Sequence, residues 1–139
     1  RDIILTAIKY HNKYEIKDVD DDRTLLFCQI IRDADKLDIL FELMNSISKP
    51  EKYLSEKLLN YIYKKQLCLD KYVHTDIDCI LRQFGFIFDI NFEFTIRYLK
   101  EKNWFENKFN LLENYVEDKK SVEELKKFIN EYVKEKIEC

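Results

Sequence analysis

The sequence predicts an all-α protein, and three observations carry that prediction. One Gly and one Pro in 139 residues are far too few turn residues for a β-sandwich of this size. The charge-rich stretches space their apolar residues at three and four, the period of a helix with one buried stripe. Several of these stretches open on helix-start signals.

The elements follow in order. Ile3, Ile4, Ala7, Ile8 and Tyr10 form a first stripe, which "YEIKDVDDD" interrupts. A long second helix is expected from about Asp22 to Ile47. On it Phe27, Ile30, Ile31, Ala34, Leu37 and Phe41 share one broad face, and Arg32 and Lys36 project from a more polar sector. Pro50 suits the first turn of a third helix, with Tyr53, Leu54, Leu58, Tyr61 and Ile62 on one side. Thr75 and Asp78 resemble a capping box for a fourth.

"FGFIFDINFEFTI" alternates like a strand from Phe84 to Ile96, yet it also fits two helices, one ending in Ile87 and Phe88 and the next carrying Phe92, Thr95, Ile96 and Leu99. A lone strand would leave its backbone groups without partners. Two helices are therefore expected, broken near Asp89 to Asn91, with Asp89 or Asn91 capping the second. Trp104 lies at a helix junction and should pack between helices. Ser121 and Glu124 form a capping box for the last helix, whose stripe is Val122, Leu125, Phe128, Ile129, Tyr132 and Val133. No repeat or linker interrupts the chain.

Composition bounds the function. Apolar residues make up 46%, with ten Phe and nine Tyr, enough for a core. The net charge of −3 argues against a partner of duplex nucleic acid. No run of 18 apolar residues occurs, which argues against a membrane span. Cys28, Cys68, Cys79 and Cys139 are far apart, without a C-x-x-C pair, so reduced thiols and a cytoplasmic location are expected. The chain enters an apolar periodic segment at once, and the expectation is a fragment whose N-terminal portion lies upstream.

The candidate chemistry sits in "IIRDADKLDIL", residues 30 to 40. Asp33, Asp35 and Asp38 are threaded among aliphatic residues there. Ionised carboxylates are rarely buried unless paired or bound to a metal. On a helix, Asp35 and Asp38 are neighbours at the edge of the apolar face, and Asp33 falls on the other side near Leu26, Leu40 and Met44. One explanation is a buried Asp paired with Arg or Lys, or capping another helix. The other is a metal ligand or general base. His11, one turn after Ala7 and Ile8, bears on the choice. An imidazole and a carboxylate on successive helices can converge on one divalent ion such as Mn²⁺, Fe²⁺ or Zn²⁺. His74, in "KYVHTDID", reads as exposed loop.

"AIKYHN" followed by "IIRDADKLDIL" resembles the C-terminal half of HD-domain proteins, the superfamily of metal-dependent phosphohydrolases. The resemblance implies an HD-domain-like helical bundle over residues 1–48, with a helical extension over 49–139 packed on it as one compact unit. It implies a divalent metal, with Mn, Fe, Mg, Co and Zn not distinguished. Asp35 matches the final metal ligand of an Ala-Asp-x-Leu pattern, Ala34 to Leu37. His11 matches a later His serving a second metal or the phosphate. Asp33 and Asp38 are runners-up as ligands or as their support, and Arg32 and Lys36 are candidates to hold Asp33 or a substrate phosphate, with a surface role expected first. The implied substrate is a phosphorylated small molecule or nucleotide, and homo-oligomerisation stays open. The family's His-Asp dipeptide does not occur in this sequence. The alternative is a catalytically inactive helical binding or scaffold module that keeps the fold.

Overall fold

A computed structural model describes residues 3, 5, 21–42 and 46–138. Among the residues from 21 onward that are described, six α-helices follow one another: α1 Asp22–Glu42, α2 Glu56–Tyr63, α3 Asp76–Ile87, α4 Glu93–Glu101, α5 Trp104–Tyr115 and α6 Lys119–Glu138. A single 3₁₀ turn, Asp70–Tyr72, lies between α2 and α3. No strand occurs among the described residues; the one isolated bridge pairs Glu51 with Val116. The all-α expectation holds. Of the first apolar stripe, Ile3 is described and is helical, as is Leu5 beside the stripe; the rest of the stripe, with His11, lies outside the described residues.

α2 and α3 pack as a pair, α4, α5 and α6 pack on one another, and α1 lies against α4. Phe84 of α3 joins these groups. Its ring stacks on Phe109 of α5 at 5.1 Å and meets Trp104 edge-on at 5.5 Å. Trp104 is buried and donates from Nε1 to the carbonyl of Leu40 at 3.0 Å. That satisfies one of the carbonyls left over at the end of α1.

The alternating segment forms α3 and α4, separated at residues 88–92 as expected. Ile80, Leu81, Phe84 and Ile87 are buried on one helix, and Thr95, Ile96 and Leu99 on the next. Helical burial accounts for these residues, whereas Phe94, at an alternate position of the same run, is exposed, so the burial does not follow the period-two pattern.

Two helix starts differ from expectation, each for a local reason, and a third keeps its cap but changes one partner. α2 begins at Glu56, not near Pro50, with Ser55 accepting from the Leu58 amide at 3.3 Å. The residues between are tied to the chain after α5 instead: the Glu51 amide donates to the Tyr115 carbonyl, and the Glu51 and Lys52 carbonyls accept from the amides of Glu117 and Asp118. α6 begins at Lys119 and takes its cap from Asp118, whose carboxylate accepts from the Ser121 hydroxyl at 2.7 Å and its amide at 3.4 Å. In α3, Thr75 caps the Asp78 amide as expected, but Asp78 reaches the amide of His74 rather than that of Thr75. His74 is exposed.

α1 is turned over relative to its apolar pattern. Phe27, Ile30, Ala34 and Phe41 are exposed, and the buried residues are Cys28, Arg32, Asp33, Lys36 and Leu40. The surface role expected for Arg32 and Lys36 is thereby corrected. The cause is what waits opposite this helix.

Candidate functional site

Opposite α1 stand the turn 88–92 and the first residues of α4. The N-cap position of α4 is Phe92, whose side chain cannot accept a hydrogen bond. Asp33 supplies the missing acceptor from across the interface. One oxygen, Oδ1, accepts from the Asn91 amide at 2.8 Å and from Asn91 Nδ2 at 3.0 Å. The other, Oδ2, accepts from the Phe92 amide at 3.0 Å and from the Thr95 hydroxyl at 2.8 Å. An ordinary capping box closes within one helix. Here the N-cap amide and the side chain three residues on meet on a carboxylate borrowed from another helix. Its charge also lies at the positive end of the α4 dipole. Neither Asp89 nor Asn91 caps α4 by accepting, which corrects that expectation; Asn91 donates.

Asp89 has a different partner set. Its Oδ2 receives Arg32 at 2.7 Å and Lys36 Nζ at 2.5 Å, one turn apart on α1. Both cations are buried and Asp89 is mostly so. A buried charge requires a partner, and here the cations of one helix and the carboxylate of a turn meet as a reciprocal set. Arg32, Asp33 and Lys36 are thus all occupied in joining α1 to residues 89–95.

Asp35 is the exception within the string. It is half-buried on α1, and no hydrogen bond or ion pair engages it among the described residues. Asp38 is exposed at the edge of a trough between α1 and α4 and makes no cap or ion pair among the described residues. His11 lies outside the described residues. Among these, no group of three or more His, Cys, Asp and Glu side chains is placed to hold a metal ion. The described residues alone do not fit a complete metal site.

Asp89 was not legible as the shared counter-ion, since no basic residue neighbours it in "FIFDINF". A usable sign was the opposite one: a helix start with Phe at its N-cap and no acceptor of its own needs one from elsewhere.

No disulfide involves Cys28, Cys68 or Cys79. Burial pushes the Cys68 thiol up to about 11 and raises that of Cys28. No described helix is long and apolar enough to cross a membrane. Compared with protein families, curated proteins and solved structures, the chain matches none.

Proposed function

We propose that the chain is part of an HD-type metal-dependent phosphohydrolase in which Asp35 is a metal ligand and His11 its companion. One observation carries the reading. In a string of five charged residues from Arg32 to Asp38, the buried three are consumed by structural bonds, and Asp35 is half-buried with none. A carboxylate kept partly from water without a partner is costly, and a cation removes that cost. Asp35 is also the residue that the Ala-Asp-x-Leu resemblance selects. The ligand set is completed by residues outside the described ones, since a working site needs three or more. The substrate class in this reading is a phosphoester or nucleotide. Asp33, Arg32 and Lys36 support the site by holding α1 in place.

The test is thermal unfolding with and without Mn²⁺, alongside phosphate release. Mn²⁺ should raise the midpoint of the wild-type chain and leave that of Asp35→Ala unmoved. An unchanged Mn²⁺ effect in Asp35→Ala overturns the assignment.

A second reading, a helical binding module, is favoured by the outward face of α1. Leu26, Phe27, Ile30 and Phe41 are each at least about a third exposed, an unusual concentration of large apolar groups.

A further inference from the structure

α1 and α4 leave an open trough between them, about 630 Å³ in volume. Leu37, Phe41, Phe94 and Tyr98 form its apolar part. Phe41 and Tyr98 meet edge-on at 5.9 Å and bridge the two helices. Phe94 is 65% exposed, far beyond what an aromatic ring of a packed interior shows.

Charge surrounds this apolar strip unevenly. Asp38, Glu42 and Glu101 border it, and none of the three makes an ion pair among the described residues. The basic group at the border, Arg97, is already engaged by Glu93 and by the carbonyl of Ile137. Lys102 stands over the Tyr98 ring, 5.6 Å from its centroid. Even with that ammonium counted, the border stays negative.

An apolar strip between two helices, open along its length, has the form that receives a helix laid into a groove. Uncompensated carboxylates on both sides select the flanks of that helix. We propose that the trough is a docking site for an amphipathic helix of a separate protein, its apolar stripe flanked by lysines or arginines. The proposal rests on the binding-surface reading of α1 and is independent of any metal at Asp35.

The test uses the full chain and two labelled synthetic helices of about 18 residues, long enough for five turns. Both carry leucine at i, i+3, i+4 and i+7; one is flanked by lysine and the other by glutamate. Fluorescence anisotropy should show saturable binding of the lysine peptide that weakens with added salt. Changing Asp38, Glu42 and Glu101 together to Lys should weaken it about tenfold or more. Phe94→Ser should do the same, and circular dichroism of both variants should match the wild type, because all these side chains are exposed. Equal affinity for the glutamate peptide would overturn the partner's chemistry. Failure of both peptides would overturn docking itself. A concentration-dependent dimer in sedimentation, lost in Phe94→Ser, would put a second copy in the trough and overturn the proposal in that way.

Discussion

The two longest helices are of nearly equal length and are held by opposite means. α6 buries Val122, Leu125, Ile129, Tyr132 and Val133 in one stripe and turns its Lys and Glu residues to water. α1 buries Arg32, Asp33 and Lys36 and leaves Leu26, Phe27, Ile30 and Phe41 toward solvent. The stripe of α6 is attracted to any apolar surface, so hydrophobic burial fixes it without regard to particular partners. The inward groups of α1 need partners of particular placement, and Asp89, Asn91, Phe92 and Thr95 supply them. Hydrogen-bonded ions set register where hydrocarbon would tolerate sliding. The arrangement also leaves an apolar face available for other contacts.

The largest expected effects come from removing each helix's anchor. Leu125→Ala should cost about 3 kcal/mol through the lost contacts and the cavity it leaves. Asp33→Ala should cost a similar amount, about 3 kcal/mol, because it strands the amides of Asn91 and Phe92 and the Thr95 hydroxyl. Urea unfolding measures both. A cost below about 1 kcal/mol for Asp33→Ala, within the range of an ordinary surface substitution, would break the comparison.

Asp89→Asn comes next. It removes the carboxylate shared by two buried cations, and a loss of about 2–3 kcal/mol is expected, near the lower end for breaking a buried charge pair. Ile30→Ser tests the other half of the contrast. Although it puts a hydroxyl for a sec-butyl group on a helix, Ile30 is 44% exposed, and the change should stay within about 0.5–1 kcal/mol. A larger loss would mean that the outer face of α1 is already in use within the folded chain.

The smallest effect is one that the two helices share. Each is preceded by an aspartate that caps it, Asp21 onto Thr24 and Asp118 onto Ser121. The hydrogen bond from the Thr24 side chain, then that from its amide, holds Asp21 below the usual carboxylate value of 3.8; the Ser121 hydroxyl does the same for Asp118. A depressed folded value means that the stabilisation is present above pH 3.8 and is lost as pH falls through the lower, folded value. Thermal midpoints taken from pH 5 to pH 2 should therefore fall, and Asp118→Asn should flatten part of that fall. An identical acid profile in Asp118→Asn would show that the cap contributes nothing measurable.

The contrast also explains what could be read from the chain. The stripe of α6 was visible because burial there follows hydropathy residue by residue. The break between α3 and α4 was visible because a strand would have had no neighbour. Periodicity marks α1 as a helix but exchanges its faces, because it weighs Arg32 and Lys36 as outward groups and cannot see Asp89 arriving from more than 50 residues away in the sequence. That one buried carboxylate would cap another helix was among the explanations that spacing left open; which residue it capped depended on tertiary structure. The starts of α2 and α6 were misplaced because backbone pairing at residues 51–52 and the Asp118 cap compete with the signals at Pro50 and Ser121.

Asp33 holds the fold from within the same short string in which Asp35 is the proposed metal ligand. The direct test is the thermal midpoint of Asp33→Asn and Asp35→Asn, each measured with and without Mn²⁺. The account predicts that Asp33→Asn lowers the metal-free midpoint by several degrees, since about 1 kcal/mol corresponds to roughly 4 °C in a chain of this size. Asp35→Asn should leave the metal-free midpoint within about a degree of the wild type or raise it, and should abolish the upward shift that Mn²⁺ produces. The reverse pattern, with Asp35→Asn unfolding the chain and Asp33→Asn removing the Mn²⁺ shift, would contradict it.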